Sequence, residues 1–117
     1  MTALGLSSVT VAWIALLTAG LFEIGWPVGL KISQQPGRLA FGIALAAVCI
    51  FISGALLWYS QKTISIGTAY AVWVGIGAAG TFLVGIAFFG DAATLFRVLG
   101  ILLIVGGVIM LKLGSAS

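Results

Sequence analysis

The chain has 117 residues, 62% of them hydrophobic and only 6% charged, with a formal net charge of +3 at pH 7. A water-soluble domain of this size must cover itself with polar side chains, so the composition excludes one and indicates a chain solvated mainly by lipid. Five basic residues placed one or two to a loop do not make a nucleic-acid patch, and the absence of histidine removes any His-based metal site or acid–base relay.

Residues 1–8 read as a short polar-to-apolar lead-in. The first eleven residues contain no Lys or Arg and three more apolar segments follow the first, which argues against a cleaved signal peptide. The first predicted helix covers residues 9–30, is interrupted only by Glu23, and ends at the polar run Lys31 to Arg38. Glu23 lies roughly 12 Å from Lys31 and about 20 Å from Thr10 along a helix, near the middle of a bilayer. An ionised carboxylate there costs several kcal/mol unless paired or hydrated, and such residues mark transport pathways. A carboxyl in this position can hold a proton or a cation and releases one on taking the other; the structural alternative is a protonated Glu that hydrogen-bonds a neighbouring helix. Trp26 is three residues on and shares its face. Pro27 removes the N–H that would bond the Glu23 carbonyl, which makes either a functional bend beside the acid or a kink that is simply tolerated.

The second predicted helix covers residues 39–61 and is closed by Lys62. Its single cysteine, Cys49, lies in an apolar run and reads as a small buried hydrophobe. Ser53 is a hydroxyl in an apolar turn; it either bonds its own i−4 carbonyl or supplies a donor that steadies Glu23. The third helix covers residues 64–89. Tyr70 and Trp73 share a face and make an aromatic wall with two polar tips, able to attract a cation or donate to a carboxylate; Tyr70, eight residues past Lys62, also suits an interfacial anchor. Gly75, Gly77 and Gly80 allow a bend or close packing. The fourth helix covers residues 92–111, carries Arg97 in its first turns and is closed by Lys112. Gly100 and Gly107, seven residues apart, suit a close helix–helix seam between two chains.

Each segment is long enough to span the hydrocarbon core, the last most marginally, and must be helical because lipid cannot satisfy backbone polar groups. The predicted fold is therefore an all-α membrane protein, one four-helix transmembrane domain over residues 1–117. Nothing in it resembles a phosphate-binding loop, a nucleophile–base pair or a metal-ligand cluster, so no enzyme activity, cofactor or metal is expected and any energy source must be an ion gradient. Lys31, Arg38 and Arg97 fall on one side of the membrane, and Lys62, Lys112 and the N-terminal amine on the other. That near balance sets little orientation preference and permits an antiparallel, dual-topology dimer; the alternative is one orientation fixed by context outside the chain.

From about Ala12 to Leu113 the sequence resembles the small multidrug resistance family of dimeric proton-coupled exporters. The resemblance rests on Gly20-Leu-Phe-Glu-Ile-Gly-Trp-Pro-Val-Gly-Leu-Lys31, on Gly67-Thr-Ala-Tyr-Ala-Val-Trp73, and on the pair Gly100 and Gly107. Trp26 and the ending Gly29-Leu-Lys31 resemble the guanidinium-exporting (SugE or Gdx) subtype. The resemblance implies a multi-pass protein of the bacterial inner membrane that exchanges protons for guanidinium or small substituted guanidinium cations. By the same match Glu23, Trp26, Ser53, Tyr70 and Trp73 line the site, Pro27, Gly75 and Gly77 are points of helix bending, and the partner is a second copy or a paralogous subunit. Two residues depart from the subtype: Gly25 and Pro27 stand where a small aliphatic residue and Ala are usual, a change that fits either a wider range of substituted guanidines or a heterodimeric system. Other readings compatible with the residues are a quaternary ammonium multidrug exporter of the same family, a non-transporting membrane subunit, and a small cation channel.

Overall fold

The structure is a computed structural model and describes residues 7–114; the first six positions of the predicted lead-in lie outside the described residues. Four helices follow in chain order: α1 (Ser8–Ser33), α2 (Leu39–Ser60), α3 (Ile66–Phe88) and α4 (Leu95–Gly114). All four are long and apolar enough to cross a membrane, and the described residues contain no strand. The all-α four-span architecture expected from the sequence is therefore present.

The helix ends follow local capping chemistry. Ser7 caps α1: its Oγ accepts from the Thr10 N–H at 3.1 Å, satisfying one of the orphan donors of the first turn. At the other end α1 runs to Ser33, past the apolar stretch that stops at Leu30, with Lys31 placed favourably in the last turn. The reversal into α2 uses Pro36 and Gly37. Arg38 N–H closes the turn on Gln35 O at 3.1 Å, and Gly37 takes a φ of 75°, which its missing Cβ allows. α4 starts at Leu95 because Thr94 caps it, its Oγ1 accepting from Arg97 N–H at 3.3 Å.

Glycines decide how the helices meet. α1 and α2 pack antiparallel along a seam of small residues. A Cβ on Gly29 would lie 2.7 Å from Ala46 N, one on Gly42 would collide with the backbone of Gly29 and Ser33, and one on Gly25 would strike Cys49 Sγ. α1 and α3 run parallel and touch through Gly20 against Ile76 and Gly80 against Ile24. A buried cluster of Ala12, Trp13, Leu16, Ile64, Ala69 and Val72 closes the end of the bundle where α1 and α3 begin. α4 packs mainly on α3, with Gly75 accommodating Val108 and Ile104, and reaches α1 where Lys112 Nζ lies 4.7 Å from the Trp13 ring centroid; none of its residues is buried.

Candidate functional site

Glu23 sits in the middle turns of α1, on the face turned to α3. The two backbones approach there because residue 77 has no side chain: a Cβ on Gly77 would lie 2.5 Å from Glu23 Cγ. Gly77 is thus the floor against which the carboxylate lies. Glu23 Oε1 is buried without a hydrogen-bond partner, and so is Trp26 Nε1 one turn later. Buried polar atoms are almost always paired, so an acceptor and a donor left unpaired three residues apart on one helix face single this position out.

Both side chains line one cavity of about 260 Å³, together with Pro27 of α1 and Val74, Gly77, Ala78 and Thr81 of α3. That is below the roughly 300–1,000 Å³ typical of drug-sized ligand pockets. The cavity offers one carboxylate, one indole N–H, one hydroxyl and otherwise apolar walls, a combination suited to a small cation. α1 continues as helix through Pro27 to Ser33.

Ser53 and Trp73 form a second hydrogen-bonded unit that does not line this cavity. Ser53 is fully buried; its Oγ donates to Ala19 O at 2.6 Å and accepts from Trp73 Nε1 at 2.8 Å. The hydroxyl therefore bonds neither its own helix nor the carboxylate. It reaches across to α1 at the residue four before Glu23, whose carbonyl is the helical acceptor for the Glu23 N–H. Three helices are tied at one oxygen, one turn from the acid. Tyr70 packs on Trp73 with ring centroids 5.6 Å apart and planes at 51°. It is more than half exposed and lines a larger cavity of about 710 Å³ between α3 and α4, which shares Val74 and Ala78 with the Glu23 cavity.

Of the residues singled out in the sequence, Glu23, Trp26, Pro27 and Gly77 meet at one cavity. Ser53, Tyr70 and Trp73 do not line it: Ser53 and Trp73 meet one turn before Glu23, at Ala19, and Tyr70 packs on Trp73. Gly75 lies against α4, and Gly100 and Gly107 face open space. Thr81 also lines this cavity and was not singled out in the sequence. Its only signal is a hydroxyl four residues after Gly77, on the same face of α3. Among the described residues no three His, Cys, Asp or Glu side chains gather as a metal site.

A family model described as Small Multidrug Resistance protein matches residues 11–104. A guanidinium exporter of Yersinia pseudotuberculosis is 48% identical over 105 residues, covering 90% of this chain and 100% of that protein. Guanidinium exporters of Proteus vulgaris and Salmonella typhimurium are each 46% identical over 105 residues, again 90% of this chain and 100% and 99% of those proteins. With relatives that are exporters and four membrane-spanning helices, the chain is a multi-pass transport protein of the bacterial inner membrane and not an enzyme. It belongs to the small multidrug resistance family.

Proposed function

We propose that the protein is a proton-coupled antiporter that exports guanidinium or small substituted guanidinium cations, with proton and cation competing for Glu23. The observation that carries this reading is the open pair Glu23 Oε1 and Trp26 Nε1 on one small cavity within the span. Guanidinium is planar and presents N–H donors in a fork, which matches the two oxygens of a carboxylate. The Trp26 N–H can hold the carboxylate while its ring offers the cation a π face. Export of guanidinium by relatives that align over most of the chain supports the substrate.

Competition at one carboxylate is itself a coupling device. If Glu23 binds either a proton or a cation, the site crosses the membrane loaded with one and returns loaded with the other. Each proton moved down a one-unit pH gradient supplies about 1.4 kcal/mol, enough to sustain roughly a tenfold cation gradient per proton exchanged. The working unit in this proposal is an antiparallel pair, of two copies or of this chain with a paralogue. The balanced loop charges and the uncovered surface of α4 support it. Two Glu23 carboxylates sharing such a cavity titrate as one coupled system.

The test is uptake into proteoliposomes driven by an imposed pH gradient, with guanidinium and tetraalkylammonium offered in parallel. Guanidinium is taken up and Glu23→Gln abolishes uptake while the protein stays folded and paired. Transport of tetraalkylammonium alone would replace the substrate, and full activity of Glu23→Gln would end the mechanism.

A further inference from the structure

A second cavity, of about 240 Å³, lies between the carboxyl-terminal ends of α1 and α3. It is lined by Pro27, Val28 and Lys31 of α1, by Thr81, Val84 and Gly85 of α3, and by Phe89 and Asp91 beyond the end of α3. Pro27 and Thr81 also line the Glu23 cavity, so the two adjoin and together run along the same α1–α3 groove. Glu23 and Lys31 are eight residues apart on α1, which sets the length of this groove at about 12 Å.

Asp91 is held at the outer end by the way α3 stops. The Gly85 carbonyl accepts from both Phe89 N–H at 3.0 Å and Asp91 N–H at 3.1 Å, and Gly90 makes the reversal with a φ of 73°. The chain folds back so that the Asp91 carboxylate lies over Gly85, where any Cβ would collide with its Oδ2. Asp91 is exposed, yet a glycine and a backbone clasp lay its carboxylate against the groove.

We infer that the α1–α3 groove is the aqueous lane by which cations reach and leave Glu23, with Asp91 at its mouth and Thr81 midway. The mouth otherwise carries the positive charge of Lys31, which repels a cation. Asp91 offsets it, so the lane starts and ends on a carboxylate with a hydroxyl between. Charge at the mouth of a low-dielectric cleft raises the local concentration of its counter-ion and speeds entry, an effect that salt screens. Asp91 in this role acts on access and apparent affinity and not on the exchange at Glu23. The lane deepens the proposed function, and rests on it for Glu23 as the cation site and for the identity of the cargo.

The lane can be tested without reference to cargo. In a Cys49→Ala background, Thr81→Cys and, in parallel, Val84→Cys are reacted in membrane vesicles with a cationic methanethiosulfonate and with a neutral one of similar size. Both thiols react, the cationic reagent is favoured, and Asp91→Asn lowers the cationic-to-neutral rate ratio about three- to tenfold at low salt. Lys31→Gln raises the ratio, and both effects shrink at high salt. Thiols unreactive with both reagents, or a ratio indifferent to residue 91, would overturn the lane. Guanidinium uptake then separates the two claims: Asp91→Asn raises KM by a similar factor with an unchanged maximal rate. A lower maximal rate at constant KM would show Asp91 to be only a helix-end clasp, whereas a wild-type protein that does not carry guanidinium would refute the cargo and leave the thiol ratio to decide the lane.

Discussion

A carboxylate inside a membrane helix is held in place by what surrounds it, and at Glu23 the nearest constraint is an absence. Gly77 leaves the space into which the acid's methylenes fit, so Gly77→Ala forces the carboxylate or the α3 backbone to move. Overpacking of this kind costs about 1–3 kcal/mol. The expected outcome is a modest fall in thermal stability in detergent with a much larger loss of guanidinium transport; unchanged transport would show that the carboxylate tolerates displacement. Ser53 works at the same scale from the other side. By bonding Ala19 O and accepting from Trp73 Nε1 it fixes the turn of α1 that precedes the acid. Much of this was legible in the residues themselves, because an acid between apolar runs, with Trp26 three residues on and Tyr70 and Trp73 at the same spacing, stands out in so plain a sequence. The acceptor of Ser53 was not legible, since a hydroxyl in a lipid-facing sequence has several carbonyls within reach and only packing selects among them. Thr81 and Asp91 escaped notice for a related reason: one hydroxyl in an apolar helix and one loop acid carry no pattern until the groove between α1 and α3 brings them into line with Glu23.

At the scale of the elements, the four spans are evident from charge-free length alone. Their ends shift by two or three residues where a cap intervenes, as Thr94 does for α4 and the Pro36–Gly37 turn does after α1. Which faces meet is a different matter. Helices apolar all round carry no amphipathic stripe to announce the inward side, and here the inward side is set by glycine. The α1–α2 seam is its clearest case, for at Gly42 an added Cβ meets backbone atoms of Gly29 and Ser33, not a movable side chain. Gly42→Ala should therefore separate α1 from α2, destabilising the monomer by roughly 1–3 kcal/mol and lowering its unfolding midpoint in detergent. An unaltered midpoint would mean that the helices can slide apart at no cost. The glycines of α3 serve the same purpose toward both neighbours: Gly75 admits α4 while Gly77 and Gly80 admit α1.

For the whole molecule, α4 sets the problem. It is long and apolar enough to span, yet it packs mainly on α3, touches α1 through Lys112 and Trp13, and buries none of its residues. In water that would be a fault of the fold; in a membrane, lipid or a second chain covers it. Small residues at heptad spacing favour the second chain, since Gly100 and Gly107 have open space where a neighbouring backbone could approach. Gly100→Leu is expected to reduce the cross-linked dimer fraction in membranes while leaving the helical content unchanged, and an undiminished dimer would move the interface elsewhere. Pairing of two chains would bring two Glu23 carboxylates to one cavity, where they would titrate as one coupled system.

The competition of proton and cation at Glu23 is most directly measured as protons released when guanidinium binds. Calorimetric titrations of the purified protein, run at one pH in buffers of different ionisation enthalpy, count those protons. Net proton release on binding is expected, with weaker guanidinium affinity as pH falls because protonated Glu23 cannot take the cation, and neither effect in Glu23→Gln. Guanidinium binding of equal strength at every pH, with no proton released, would contradict the competition.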